Sequence, residues 1–80
     1  MERLVSLSFG HVLRTLRLQT GMTQEKLAEK ARLQRNYISS LELGQKQPSL
    51  LTLFKIAEGL KMQPEQFVAK VHEQMKRQQL

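Results

Sequence analysis

Hydrogen-bonding side chains are concentrated in residues 35–40 of the 80-residue sequence, at Arg35, Asn36, Ser39 and Ser40. A guanidinium group can donate two parallel hydrogen bonds to guanine O6 and N7, and a carboxamide can accept a hydrogen bond from adenine N6 while it donates one to adenine N7. The chemistry available to Arg35 and Asn36 is therefore recognition of base edges. Taken alone, the two residues are better explained as solvated surface residues, so the interpretation depends on the elements that carry them.

The chain has no arrangement of residues typical of an enzyme. It contains no cysteine, and its two histidines, His11 and His72, are far apart and lack carboxylate neighbours at metal-ligand spacing. Ser39 and Ser40 have no local base that could activate a hydroxyl group. We therefore expect no catalytic residue, no metal and no cofactor.

The hydrogen-bonding residues lie within a pair of short amphipathic patterns between Thr23 and Gly44. Thr23 is suited to cap the first helix, and Gly44 suits the left-handed conformation just past the second. The inner faces of these two helices are predicted to hold Leu27, Ala28, Ala31, Ile38 and Leu41. Two short helices joined by a tight turn predict a helix-turn-helix, whose second helix typically enters the major groove of DNA. When Ile38 and Leu41 of the second helix face inward, Asn36, Ser39 and Ser40 face outward, and Arg35 lies at the N-terminal end of that helix.

Three further helices complete the prediction of a compact all-α, five-helix domain over residues 1–80. Ser8 is suited to cap helix 1, which runs to about Gln19 after a short arm at residues 1–7, and Leu7 and Val12 would form a hydrophobic staple. Helix 3 spans about residues 35–43, helix 4 begins at the Pro48-Ser49 pair, and helix 5 spans about residues 64–77 with Pro64 first. The apolar faces of helices 1, 4 and 5 are predicted to hold Phe9, Val12, Leu13, Leu16, Leu50, Leu53, Phe54, Ala57, Leu60, Phe67, Val68, Val71 and Met75.

Composition narrows the class of partner. The formal net charge is +6, which favours a polyanionic partner, and the length fits one domain. No apolar run approaches a membrane span, and the N-terminal residues show no signal-peptide pattern. We therefore expect a cytoplasmic protein.

A set of short motifs covers roughly residues 9–62. They are Gly21-Met22-Thr23-Gln24, Leu27-Ala28, Tyr37-Ile38-Ser39, Leu41-Glu42, Gly44, Pro48-Ser49, Leu53, Ile56-Ala57 and Leu60. The combination resembles the lambda-repressor-like, or XRE-type, helix-turn-helix regulators. Residues 35–39 and the chain length are also similar to controller proteins of restriction-modification systems. Two positions depart from the family pattern: Arg32 stands where Gly is common, and Gln34 where Ser or Thr often caps helix 3. A positive φ at Arg32 would cost about 1 kcal/mol relative to Gly.

The resemblance implies roles for residues around the second helix. Gln24 would contact a phosphate, and sometimes the neighbouring Gln or Arg of helix 3, although it could also be an ordinary exposed glutamine. Lys46 and the loop amides near Gln45 and Gln47 would bind phosphates, which supplies affinity without sequence information. Tyr37 could pack on the edge of the core or contact DNA. The full predicted DNA-binding set is Gln24, Gln34, Arg35, Asn36, Tyr37, Ser39, Ser40, Gln45, Lys46 and Gln47.

The resemblance also implies that Arg17 and Glu42 form a partly buried ion pair between helices 1 and 3. The alternative is two unrelated surface charges. If the pair is buried, removal of one partner would leave an uncompensated charge, so its expected role is structural.

The leading functional prediction is a sequence-specific regulator of transcription that binds double-stranded DNA. One such domain contacts about half a site, so we expect a homodimer on a pseudo-palindromic operator. The expected interface contains Phe67, Val71 and Met75 of helix 5, together with the end of helix 4. The alternative is an antitoxin-type interaction protein that neutralises a partner and regulates its own synthesis through DNA binding; the few residues predicted after helix 5 argue against it. RNA binding is disfavoured because the exposed aromatic residues that stack unpaired bases are lacking.

Overall fold

Five α-helices joined by short turns make up the computed structural model, which describes residues 1–79. The helices are α1 (Glu2–Gln19), α2 (Gln24–Ala31), α3 (Arg35–Glu42), α4 (Leu50–Gly59) and α5 (Pro64–Gln78). These described residues contain no strand, and the all-α, five-helix prediction is confirmed. Within the same range, no helix is both long enough and apolar enough to cross a membrane.

Three helix starts coincide with the local signals in the sequence. The Thr23 hydroxyl accepts a hydrogen bond from the backbone N–H of Lys26 at 3.0 Å, and the Ser49 hydroxyl accepts one from Thr52 N–H at 3.1 Å. Pro64 is the first residue of α5, where its missing N–H has no helical partner to lose. These starts are fixed by chemistry within one turn of the chain.

The start of α1 differs from the prediction. This helix begins at Glu2, so residues 2–7 form no separate arm, and the predicted Leu7–Val12 staple is wrong. Ser8 does not cap the helix; it is fully buried inside it, and its hydroxyl donates to Gln78 Oε1 at 3.4 Å. No Gly or Pro interrupts residues 2–7, and a residue that can cap a helix does not start one when the preceding residues also favour helix.

The core is formed where α1 meets the other helices. Its fully buried residues include Leu13, Leu27, Ile38, Leu41, Ile56 and Phe67. The rings of Phe9 on α1 and Phe67 on α5 lie 5.0 Å apart and are tilted by 50°, a favourable aromatic arrangement. Because α1 packs against α5 on one side and against α3 on another, it connects α5 to the helix-turn-helix.

The buried face of α4 also differs from the prediction. Leu50 is 70% exposed and Phe54 is 53% exposed, whereas Thr52, Ile56 and Ala57 are buried. Gly59 lies on the inward face, where α4 approaches α2 closely: a Cβ there would lie 3.1 Å from Leu27 Cδ1. Of the predicted apolar stripe, Ala57 and Leu60 are buried and Leu53 packs against the core, so the prediction is wrong only for Leu50 and Phe54. The helix has more apolar residues than one face can hold, and their spacing alone did not separate the buried ones from the exposed ones.

Candidate nucleic-acid interface

A buried ion pair fastens α3 to α1. Arg17 Nε donates to Glu42 Oε2 at 2.6 Å, and Arg17 Nη2 donates to Glu42 Oε1 at 3.1 Å. The two side chains are only 8% and 2% exposed, and Arg17 Nη1 also donates to the Met22 carbonyl at 2.8 Å. The predicted Arg17–Glu42 pair is therefore present and buried, in the bidentate geometry that suits a guanidinium group and a carboxylate.

The ion pair keeps Arg17 charged. The hydrogen bond to Glu42 raises the pKa of the Arg17 guanidinium above its ordinary value, in spite of burial, which acts in the opposite direction. A raised pKa contributes stability that is complete below the unfolded-state pKa and is lost only as pH rises through the folded-state pKa. Ionisation of Arg17 therefore adds no pH dependence near neutrality.

A close backbone approach accompanies the ion pair. Gly10 on α1 lies against the carbonyl groups of Leu41 and Glu42, and a Cβ at this position would come within 2.6 Å of the Glu42 carbonyl oxygen. No side chain fits between the two helices at this point. The contact was not predicted from the sequence, because nothing local to Gly10 signals a neighbour more than 30 residues away in the chain.

The outer side of α3 carries the side chains predicted to bind bases. Arg35 and Asn36 are exposed, and Ser39 and Ser40 are half-buried, while Ile38 and Leu41 on the opposite side are fully buried. Arg35 Nη2 donates to Asn36 Oδ1 at 2.8 Å, so the two longest polar side chains lie side by side. The geometry brings together four neighbouring groups that can form hydrogen bonds outside the domain; their contacts to bases stay predictions.

The turn between α2 and α3 contains both departures from the family pattern. Arg32 adopts the left-handed conformation with φ of 58°, the conformation for which Gly is favoured. Gln34 occupies the N-cap position of α3, but its side chain makes no capping hydrogen bond. The Gln34 side chain is exposed, at the same end of α3 as Arg35, and its predicted contact with DNA is untested.

Gln24 is tied to the ion pair. Its Nε2 donates to Glu42 Oε1 at 3.0 Å, so one carboxylate binds both Arg17 and Gln24. The sequence interpretation offered a phosphate contact, a contact to Gln or Arg of helix 3, or an ordinary exposed glutamine; the partner on α3 is instead Glu42. The half-buried Gln24 side chain keeps a carboxamide oxygen and a second N–H for other partners, so a phosphate contact stays a prediction.

Tyr37 joins α3 to the following loop and to α4. Its hydroxyl donates to Thr52 Oγ1 at 3.3 Å, and Lys46 Nζ lies 5.9 Å from the centre of its ring. Of the two alternatives left open by the sequence, packing on the edge of the core is present, since Tyr37 is half-buried against it. A contact between its ring or hydroxyl and DNA stays a prediction.

The loop after α3 lies beside the first turns of α1. Gly44 has φ of 73° and sits against Leu7, as expected for a residue that ends a helix in the left-handed conformation. Gln47 Nε2 donates to the Glu2 carbonyl at 3.5 Å, which is a long bond. Gln45 and Lys46 are exposed between these two contacts, so the loop presents polar groups next to the outer side of α3.

The predicted dimer residues are not all available to a partner. Phe67 is fully buried in the core of its own chain, where its ring packs against that of Phe9, so its assignment to an interface is wrong. Val71, 8% exposed, and the half-buried Met75 line an open apolar groove of about 380 Å³, and their role stays a prediction. The sequence interpretation missed the strongly exposed apolar residues: it assigned Leu50, Phe54 and Val68 to apolar faces and gave Leu51 no role.

Two short helices at a tight turn, with a polar outer side on the second, define a helix-turn-helix domain. A helix-turn-helix family model matches residues 13–67, and the chain belongs to that family. Control protein C.BamHI from Bacillus amyloliquefaciens is 42% identical over 65 residues, which cover 80% of this chain and 80% of that protein. The XRE-type resemblance is thereby confirmed.

Solved structures agree in fold. The restriction-modification controller protein C.AhdI from Aeromonas hydrophila superposes with a TM-score of 0.74 at 38% identity, covering 76% of this chain and 92% of that one. The clp gene regulator ClgR from Corynebacterium glutamicum gives a TM-score of 0.86 at 28% identity, covering 92% of this chain and 79% of that one. The chain is thus similar to controller proteins and to a gene regulator over most of its length.

Proposed function

We propose that this protein regulates transcription by binding double-stranded DNA as a homodimer, with each copy reading half of a pseudo-palindromic operator. The observation that carries the proposal is the outer side of α3, where exposed Arg35 and Asn36 stand on a helix fixed from behind by the Arg17–Glu42 pair. A rigidly mounted helix with bidentate donors at its leading end is suited to the major groove. The controller and regulator names of its relatives support the same conclusion.

The proposal includes two kinds of contact with DNA, one to the bases and one to the phosphates. Arg35 and Asn36 read base edges, assisted by Ser39 and Ser40. Lys46 and the backbone amides of the loop hold phosphates, which fix the position of α3 but carry no sequence information. The net charge of +6 supports a polyanionic partner. A cytoplasmic location and the lack of enzymatic activity belong to the same proposal.

Dimerisation is assigned to the apolar side of α4 and α5. Leu50, Leu51 and Phe54 form an apolar ridge along α4 and are 70%, 65% and 53% exposed. The open groove beside it is also lined by Val68, which is 48% exposed. A ridge next to a groove on one surface is self-complementary under a two-fold axis, because each copy can place its ridge in the groove of the other. Contiguous exposed apolar residues are unfavourable in a monomer.

The first test selects bound sequences from a random duplex pool, which yields the site, its symmetry and its half-site spacing. The second compares Arg35→Ala with Lys46→Ala on the selected operator, on single-base variants and on random duplex. Arg35→Ala should cost about 1–3 kcal/mol per half-site and relax the preference at one base pair in each half. Lys46→Ala should weaken all duplexes by similar factors and flatten the slope of log affinity against log salt by about 0.9 per lost contact.

Two outcomes would contradict the proposal. If no sequence is enriched from the pool, the protein does not recognise DNA by sequence. If Arg35→Ala weakens every duplex equally and leaves the base preference intact, then Arg35 is a backbone contact, and readout has to come from Asn36 and Ser40.

A further inference from the structure

The first turn of α1 carries an arginine on the side of the helix that faces the helix-turn-helix. Arg3 precedes Leu7 by four residues and Gly10 by seven, and a helix of 3.6 residues per turn places all three on one side. Leu7 lies against Gly44, and Gly10 lies against the carbonyl groups at the end of α3. Arg3 therefore continues this side of α1 by one turn, about 6 Å beyond Leu7.

The neighbourhood of Arg3 includes the phosphate-binding loop of the proposed function. Gln47 of that loop donates to the carbonyl of Glu2, the residue before Arg3, and Lys46 precedes Gln47. Arg3 is exposed, and none of the ion pairs between residues 1–79 involves it. The Glu2 side chain points about 100° away around the helix, so it does not occupy the same side.

We infer that Arg3 binds a DNA phosphate next to the one held by the loop, so that the first turn of α1 and residues 45–47 form one continuous backbone-binding edge. The inference rests on the proposed function, because it needs α3 to lie in the major groove. B-DNA carries one negative charge per about 1.7 Å of axis, so a cation that is displaced along the DNA backbone by one helical turn from a bound phosphate is within reach of another phosphate. A guanidinium group can donate two hydrogen bonds to a phosphate, and it stays charged at every physiological pH.

If residues 1–7 formed a separate arm, as the sequence predicted, the position of Arg3 relative to the loop would not be defined. This position follows from the helical continuation of α1 to Glu2, which fixes the direction of Arg3 relative to Leu7 and Gly10. As a contact to the DNA backbone, Arg3 adds affinity on all sequences and no base preference.

The experiment compares Arg3→Ala with the parent in binding titrations on the selected operator and on a random duplex, each at three salt concentrations. The expected result is weaker binding on both duplexes by similar factors, with a salt slope flatter by about 0.9 per copy, or near 1.8 for a dimer. Arg3→Lys should restore most of the slope, because it keeps the positive charge. Circular dichroism and the melting temperature check that the exposed substitution leaves the fold unchanged.

Lys70→Ala is the matched control for charge. Lys70 lies in the groove between α1 and α5 beside His11 and Thr15, on the opposite side of α1 from Gly10, so its loss should leave the slope close to that of the parent. If Arg3→Ala and Lys70→Ala give the same slope as each other, the assignment of a contact to Arg3 is overturned. If the parent binds no duplex at all, the proposed function fails instead, and the two failures are therefore distinguishable.

Discussion

The α1–α3 contact and the apolar side of α4 and α5 differ in the kind of interaction that they offer. Between α1 and α3, a charged pair less than 10% exposed lies beside a glycine packed against two carbonyl groups, and no buried side-chain N or O atom of residues 1–79 lacks a hydrogen-bond partner. On α4, by contrast, Leu50 and Phe54 are more than half exposed beside an apolar groove. The first region is complete within one chain; the second has apolar surface with no partner in that chain.

The comparison distinguishes interactions that fix the orientation of a helix from interactions that join two copies of the chain. Ion pairs and hydrogen bonds are directional, so they can fix the angle of a short helix. Apolar burial is not directional and grows with area, so it suits the joining of two copies. Glu42→Ala and Phe54→Asp test whether the two regions behave independently, and Arg32→Gly, in the turn between α2 and α3, gives a reference outside both regions.

The largest effect is expected from Glu42→Ala, which leaves the Arg17 guanidinium buried without its carboxylate and also removes the acceptor of Gln24. The free energy of unfolding should fall by about 3–5 kcal/mol. Thermal and urea unfolding measure it. The dimerisation constant, determined under conditions where the variant is folded, should be nearly unchanged.

Glu58→Ala is the matched control for this substitution. Glu58 pairs with Arg32 at 3.1 Å, but the two side chains are 67% and 71% exposed, and such surface pairs contribute about 0–1 kcal/mol. Equal losses for Glu58→Ala and Glu42→Ala would mean that burial of the Arg17–Glu42 pair has no energetic consequence.

An intermediate effect is expected from Phe54→Asp, which places a charge on the exposed apolar ridge of α4. The dissociation constant of the homodimer should rise at least about 100-fold, near 2.7 kcal/mol, with little loss of helicity. Sedimentation at tens of micromolar measures it. Leu18→Asp is the control, because Leu18 is an equally exposed apolar residue on α1, at 54%. A parent protein that is monomeric both alone and on DNA would remove the dimer and the palindromic site together.

The smallest effect is expected from Arg32→Gly in the turn of the helix-turn-helix. Gly adopts the left-handed conformation of this position without the Cβ clash, so unfolding should require about 1 kcal/mol more, or a few degrees in Tm. Arg14→Gly, inside α1, should lower stability by a similar amount. If Arg32→Gly instead lowers the free energy of unfolding, the contacts of the Arg32 side chain stabilise the fold by more than its left-handed backbone conformation destabilises it.

The parts of the fold predicted from the sequence are those fixed within one or two turns of the chain. Thr23, Ser49 and Pro64 mark helix starts through contacts with their own neighbours, and these starts agree with the structure. The start of α1 could not be fixed in this way, because Ser8 is compatible with both a cap and a helix interior.

The parts that could not be predicted depend on packing between distant residues. Which side of α4 is buried depends on its packing against α2 and α5, and α4 has apolar residues at helical spacing on more than one side. The Arg17–Glu42 pair joins residues 25 apart in sequence, and it was predicted from the resemblance rather than from periodicity. The bond from Gln24 to the same carboxylate was not predicted at all.

The buried pair has a further consequence for the roll of α3 about its own axis. This helix has eight residues and buries only two of them, Ile38 and Leu41, a strip too narrow to determine rotation closely. A roll of about 20° would move the tip of an outward side chain, about 5–6 Å from the axis, by about 2 Å. Such a roll would also pull the carboxylate of Glu42 away from Arg17, which is costly for a buried charge. Charge pairing on the far side of the helix therefore acts together with the hydrophobic core to set the direction in which Asn36 and Ser40 point.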